Sequence, residues 1–253
     1  MMLPLEQQKY YRDLWRSIGE SVSTDDKIRA RTITKALQQI TQKIEKKDAL
    51  RILDLGCGAG WLGEFLMPFG VVTAADFEKE SLELATRKYP LIEFVVLDDE
   101  KENYGLQSDS FDIIIATEVL EHVVNKSQFL SFVRKILRQN GYLIITTPVG
   151  ELFELWSSTM SGMMQPVELW LTMKQAKDLL NREGFEVISQ KRFLYTPIGQ
   201  SVFSKLMSTK MGYYIRRIPV LWPLLSNSFG IYQILVGRKA DQNMTISCTH
   251  GAL

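Results

Sequence analysis

Short apolar runs alternate with amphipathic stretches from about residue 50 onward. The runs at 50–55, 71–76, 92–97, 111–116 and 141–147 predict strands. Nearly continuous examples such as Phe111-Asp112-Ile113-Ile114-Ile115-Ala116 suit a parallel sheet covered on both faces. Between them, Leu62 to Leu66 reads as helix up to Pro68, and Glu80 to Lys88 as helix up to Pro90. Gln128 to Leu137 reads as helix with Asn140-Gly141 as its C-cap. A further helix, Thr172 to Glu183, stops at Gly184 before the strand Phe185-Glu186-Val187-Ile188, and Tyr232 to Gly237 is the last strand. Ahead of the alternation, residues 5–20, with Tyr10, Tyr11 and Trp15, predict a helix. Thr24-Asp25-Asp26 predicts the cap of a second helix, whose Ile28, Ile33, Leu37, Ile40 and Ile44 recur at helical spacing.

Two segments break the alternation, 148–171 and 196–230, and both are rich in Met, Trp, Phe and Tyr. They are expected to cap a substrate, because ligands of open α/β sheets bind beyond the carboxyl ends of the strands. The pattern predicts one domain over 1–240, with N-terminal helices in 1–47 and a disordered tail over 241–253. At 253 residues the chain can bury a sizeable core, and 45% hydrophobic with 23% charged residues is ordinary for a soluble protein. Its two cysteines, Cys57 and Cys248, allow no disulfide framework and no zinc spacing. With no basic-then-apolar run at the N-terminus, a cytoplasmic location is expected.

The chemistry concentrates in Ile52-Leu53-Asp54-Leu55-Gly56-Cys57-Gly58-Ala59-Gly60, an apolar strand entering a glycine-rich turn. Glycines there let the backbone approach a ligand closely. Asp76, at the end of the next strand, can accept hydrogen bonds from a ribose diol. The spacing is Gly-x-Gly-x-Gly with Asp54 just ahead of it, which differs from the dinucleotide fingerprint Gly-x-Gly-x-x-Gly.

With Leu97-Asp98-Asp99, with Phe111 to His122 and with Leu137-Arg138-Gln139-Asn140-Gly141-Tyr142-Leu143, this stretch resembles class I S-adenosylmethionine-dependent methyltransferases over residues 28–239. Its type is similar to the small-molecule or ubiquinone-pathway O-methyltransferases. The resemblance implies a Rossmann-like, doubly wound, mostly parallel seven-stranded sheet with an antiparallel last strand and helical capping insertions. It implies S-adenosyl-L-methionine as cofactor, held by Asp54, Gly56, Gly58, Gly60, Asp76 and Asp98. Asp54 would reach the ammonium, Asp76 the ribose hydroxyls and Asp98 the adenine amine, a role that Asp99 or Glu100 could take instead. Cys57 reads as a small packed residue in the turn.

An oxygen acceptor must lose a proton, and His122 is the candidate catalytic base, since the other histidine, His250, lies in the tail. The alternative for His122 is a histidine that positions its loop without touching substrate. Glu118-x-x-Glu121-His122 also resembles a metal-binding pattern of ubiquinone-pathway O-methyltransferases and some RNA 3′-end methyltransferases. A divalent ion such as Mg would lower the pKa of a catechol hydroxyl. Similar runs are common in the superfamily without metal, so the balance of the sequence is against one.

The net charge of +1 conceals an asymmetry: from Val187 to Ala240 there is no Asp or Glu, and eight basic residues run from Lys191 to Lys239. They interleave with large apolar side chains such as Phe203, Met207, Tyr213 and Trp222. That mixture suits a lipophilic small-molecule acceptor, or an anionic membrane surface met by residues 191–239. It argues against a nucleic-acid track, as does the near-neutral total. Pro219, Pro223 and Gly230 argue against a membrane span over Ile218 to Gly237. The expected activity is O-methylation by in-line transfer; the competing class is a non-catalytic S-adenosylmethionine-binding protein or scaffold in a biosynthetic complex. A nicotinamide oxidoreductase is disfavoured by Asp54 and by the segment Glu118 to His122, and oligomeric state has no signal.

Overall fold

The structure is a computed structural model that describes residues 10, 22–45, 48–98, 100–150, 168–193 and 232–240. Seven strands form one sheet: β1 Arg51–Leu55, β2 Val71–Asp76, β3 Glu93–Val96, β4 Phe111–Thr117, β5 Leu137–Pro148, β6 Phe185–Phe193 and β7 Tyr232–Lys239. Their spatial order is β3-β2-β1-β4-β5-β7-β6. β1 to β5 pair in parallel, and β7 lies antiparallel to both β5 and β6, as expected for the last strand. The chain order reverses between β1 and β4, so the crevice beyond their carboxyl ends is the natural ligand position.

Both faces are covered, which explains why β4 is buried at every position up to Thr117. One face carries the helices α1 Thr24–Thr41, α2 Gly63–Leu66 and α3 Lys79–Lys88, where Ile33, Leu37, Ile52, Val72, Ile113 and Ile144 share a cluster. The other carries α4 Lys126–Ile136 and α5 Met173–Arg182, which bury Phe129, Val133 and Leu180 against Leu53, Ile114 and Leu143. Asp112 is the exception inside the apolar run. Its Oδ2 accepts from the Arg51 N–H at 2.8 Å and its Oδ1 from Arg138 Nη1 at 2.8 Å, so it fastens the starts of the three central strands, at the end of the sheet away from the crevice.

Local signals located the elements better than their ends. The cap of α1 is Ser23, one residue before the expected Thr24; its side chain and that of Asp26 form a reciprocal capping box. Asn140-Gly141 is not the C-cap of α4. That helix stops at Ile136, Leu137 is already extended, and pairing with β4 starts there, so the strand overrides the Gly signal. Asn140, at φ 62°, instead bends the start of β5. The strand expected over Phe185–Ile188 runs on to Phe193 because β7 pairs along its whole length. The predicted helix over 5–20, most of both capping insertions and the tail over 241–253 lie outside the described residues.

Candidate active site

Leu55, Asp76 and Thr117 end three adjacent parallel strands, and the glycine turn rises between them. The N–H groups of Gly56 and Cys57 both donate to the Ala75 carbonyl, at 2.8 and 3.2 Å, and Gly60 N donates to Cys57 O at 2.9 Å. Gly56, Gly58 and Gly60 have φ of 77°, 53° and 73°, in the left-handed region that favours glycine. A Cβ on Gly56 would stand 2.5 Å from Val119 Cγ2, and one on Gly60 would stand 2.8 Å from the Phe94 ring. Substitution at either position therefore meets both strain and a neighbour.

Asp76 joins the turn to its strand. Its Oδ2 accepts from Gly58 N at 2.8 Å and its Oδ1 from Glu78 N at 3.0 Å. Burial raises its pKa while these amides lower it. Asp54 is 2% exposed, and its Oδ2 has no hydrogen-bond partner. Burial, and then the charge of Asp76, push the Asp54 carboxyl up to about 7. A buried carboxylate oxygen without a partner is costly in a native structure, and a cation placed there would remove the cost. The turn thus fits the amino-acid and nucleoside ends of S-adenosylmethionine: an acid for an ammonium, backbone without side chains, and a second acid one strand away.

Asp98 stands apart from this group. It follows β3, where its Oδ1 accepts from Glu100 N at 3.0 Å and its Oδ2 meets Lys101 Nζ at 3.2 Å. These partners, first the Glu100 amide, hold its carboxyl below the ordinary value. Cys57 is buried, as a packed residue of the turn should be, and burial pushes its thiol well up.

Beyond β4 the chemistry changes from backbone to side chains. Glu118 has φ 55°, an uncommon conformation for a residue with a Cβ. It is held by Thr146, whose carbonyl accepts from Glu118 N at 3.0 Å and whose hydroxyl donates to Oε1 at 2.8 Å. Arg29 of α1 approaches Oε2 at 3.7 Å and also lies over the Tyr232 ring, 5.2 Å from its centre. Burial raises Glu118 to about 8 against the opposing charge of Arg29. Glu121, 3% exposed, accepts from the Thr147 hydroxyl at 3.0 Å, and burial raises it to about 7. His122 is buried beside it, with Nε2 3.9 Å from Glu121 Oε1. Among the described residues no group of three or more His, Cys, Asp and Glu side chains is arranged to hold a metal ion. The geometry gives a reason: Glu118 turns to Arg29 and Thr146, whereas Glu121 turns to the next residue of β5, Thr147, on the opposite side of the strand.

The structure therefore brings Asp54, the three glycines and Asp76 together, sets Asp98 at the margin, and buries His122 beside Glu121. Sequence reasoning missed Arg29. Its signal was a charge on an apolar helical stripe, since 29, 33, 37 and 40 share one face of α1. An open groove of about 720 Å³ lies between the start of α4 and the length of α5, lined by Val124, Lys126, Leu169, Trp170, Leu179 and Arg182 among others.

The basic residues of 191–239 that are described do not form one patch. Lys191 and Arg192 pair in register with Ile234 and Gln233 toward the crevice end of β7, whereas Arg238 and Lys239 lie at its other end. No helix among the described residues is long and apolar enough to cross a membrane.

A protein-family model described as a methyltransferase domain matches residues 46–196. The ubiquinone biosynthesis O-methyltransferase of Bartonella bacilliformis is 28% identical over 168 residues, which is 60% of this chain and 66% of that protein. The chain thus spans just under two thirds of that relative's length. Among solved structures, the carbon methyltransferase of CurJ superposes with a TM-score of 0.62 at 19% identity, covering 90% of this chain and 57% of that one. Magnesium protoporphyrin IX methyltransferase from Synechocystis PCC 6803, solved with bound SAH, gives 0.60 at 14% identity, covering 92% and 100%. At these identities the structural likenesses show the fold.

Proposed function

The chain belongs to the methyltransferase-domain family, and from that premise we propose that it moves the methyl group of S-adenosylmethionine onto an oxygen of a lipophilic small molecule. The observation that carries the reading is the unpartnered, buried Asp54 Oδ2 at the foot of a three-glycine turn that Asp76 holds in place. When bound, the donor supplies a sulfonium whose methyl is already activated for in-line displacement. The chain's own part is to hold donor and acceptor at attacking distance and to move one proton.

Asp54 accepts from the donor's ammonium, and the backbone from Gly56 to Gly60 lies along its amino-acid end. Asp76 takes the ribose hydroxyls. Its oxygens already accept from the Gly58, Phe77 and Glu78 amides, and a carboxylate's four lone-pair sites leave room for a further donor. Asp98 accepts from the adenine amine in exchange for its contact with Lys101. His122 takes the acceptor's proton, and the Glu121 carboxylate 3.9 Å away steadies the cation so formed. The groove between α4 and α5 supports an amphiphilic acceptor, because Val124 and Leu169 stand exposed there beside Lys126 and Arg182. Methylation of oxygen is supported by the name of the Bartonella relative.

The test is incubation of the protein with methyl-labelled donor and an acceptor panel that pairs isoprenoid-substituted phenols with their water-soluble parents, read by mass spectrometry. A labelled ether formed preferentially from the lipophilic members is expected. Donor binding with no labelled product from any member would favour the non-catalytic scaffold. Peripheral attachment through residues 191–239 is tested separately by co-sedimentation, where equal recovery on neutral and anionic vesicles would end that idea.

A further inference from the structure

The groove beside α4 exposes apolar surface. Val124 is 65% exposed and Leu169 is 47% exposed, and Trp170 continues the lining after Leu169. Apolar side chains gathered in a concavity are the usual lining of a ligand site. The two walls come from distant parts of the chain. Val124 and Lys126 follow β4, whereas Leu169 and Trp170 precede α5, and the Leu169 N–H donates to the Glu121 carbonyl at 2.8 Å. That bond sets the groove against the segment that carries His122.

The charges along the groove are unequal. Lys126 is half-buried, its Nζ donates to the Val123 carbonyl at 2.8 Å, and no carboxylate among the described residues forms an ion pair with it. Burial lowers its pKa to about 8 against the attraction of Glu121, as expected for an ammonium drawn partly out of water. The Val123 carbonyl needs a donor but not a charge, and it takes one of the three N–H groups of Nζ, so this bond does not account for the ammonium. The other charges lie at the rim. Arg182 is exposed with Nε 3.6 Å from Glu183 Oε1, and Asp178 is exposed one turn before it on α5. A half-buried charge acts through a lower dielectric than exposed ones, so Lys126 sets the sign of the groove.

We propose that the groove binds an anionic amphiphile, one molecule with a carboxylate- or phosphate-type head at Lys126 and its apolar part on Val124, Leu169 and Trp170. This assignment rests on the groove being the acceptor's place, and it narrows the acceptor from a lipophilic molecule to one that also carries a negative charge. A single dissolved molecule fits better than a membrane surface, because the cation lies half-covered within the groove instead of on an open face.

Calorimetric titration of the full chain with decanoate, 1-decanol and decyltrimethylammonium, each below its aggregation concentration, tests the proposal. Wild type is expected to bind decanoate about tenfold more tightly than decanol, the scale of one hydrogen bond to a charged group, and decyltrimethylammonium most weakly. Lys126→Gln should bring decanoate to the level of decanol and leave decanol binding unchanged, whereas Lys126→Arg should keep the preference. Leu169→Ala should weaken decanoate and decanol alike, which locates the chain in the groove. Lys126→Met also removes the charge and takes the place of the glutamine variant if that one does not fold. Equal binding of the three probes, or a preference for decanoate that survives loss of the Lys126 charge, would overturn the proposal and leave the lipophilic acceptor standing. Binding of none of them would overturn the groove as the acceptor's place, and this proposal with it. Recovery of the protein on anionic vesicles without binding of decanoate would assign Lys126 to a membrane surface and likewise overturn it.

Discussion

The two halves of the crevice are built by different means. The half beyond β1 and β2 is backbone: three left-handed glycines, amides donating to Ala75, and one carboxylate fastening the turn. The half beyond β4 and β5 is side chain: Glu118 on Thr146 and Arg29, Glu121 on Thr147, and His122 beside Glu121. A backbone cradle presents one shape and tolerates little change, as a group common to many reactions requires. A side-chain lining can be exchanged residue by residue, which suits the part that selects the acceptor.

Substitutions in each half should break different steps. The largest effect is expected from His122→Asn, which should lower kcat by about 10²–10⁴, the usual worth of a positioned base, and leave donor affinity unchanged. A loss of donor affinity with unchanged kcat would move His122 into the other half. Next is Gly56→Ala. It forces an alanine into φ 77° against Val119, so donor affinity should fall on the order of a hundredfold, and stability by about 1–3 kcal/mol. Unaltered binding would mean that the turn is looser than its hydrogen bonds indicate.

The smallest effect concerns Glu118. Its pKa is raised from 4.5 to about 8, so the folded state holds a proton that the unfolded state releases. That contribution is complete below about pH 4.5 and is lost as pH rises through 8. Wild type should therefore lose about 1 kcal/mol more than Glu118→Gln in denaturant melts between pH 7 and pH 9. Parallel pH profiles for the two proteins would show that Arg29 keeps the carboxylate charged throughout.

The contrast also explains what could be read from the sequence. Gly56, Gly58, Gly60 and Asp76 were legible because backbone geometry forces their identities at short spacing. The order of strands and helices was legible from apolar runs, although Asn140-Gly141 misled, because strand pairing outweighed a local cap signal. The second half was not legible in this way. Arg29 meets Glu118 from a helix 89 residues earlier, and Thr146 and Thr147 choose between Glu118 and Glu121 only through the pleat of β5. Glu118, Glu121 and His122 look like one set in one dimension, whereas in three Glu118 turns to Thr146 and Arg29 while Glu121 turns to Thr147 with His122 beside it.

In the proposed donor cradle the charge of Asp54 is the most exacting feature. Burial and Asp76 raise that carboxyl from 3.8 to about 7, so it is ionised at pH 8 and protonated at pH 6. If it receives an ammonium, calorimetric titration with S-adenosylhomocysteine should show affinity falling by about tenfold per pH unit below 7. Asp54→Asn should bind weakly at both pH values. Equal affinity of the wild type at pH 8 and pH 6, or an Asp54→Asn variant that binds as the wild type does, would contradict the account.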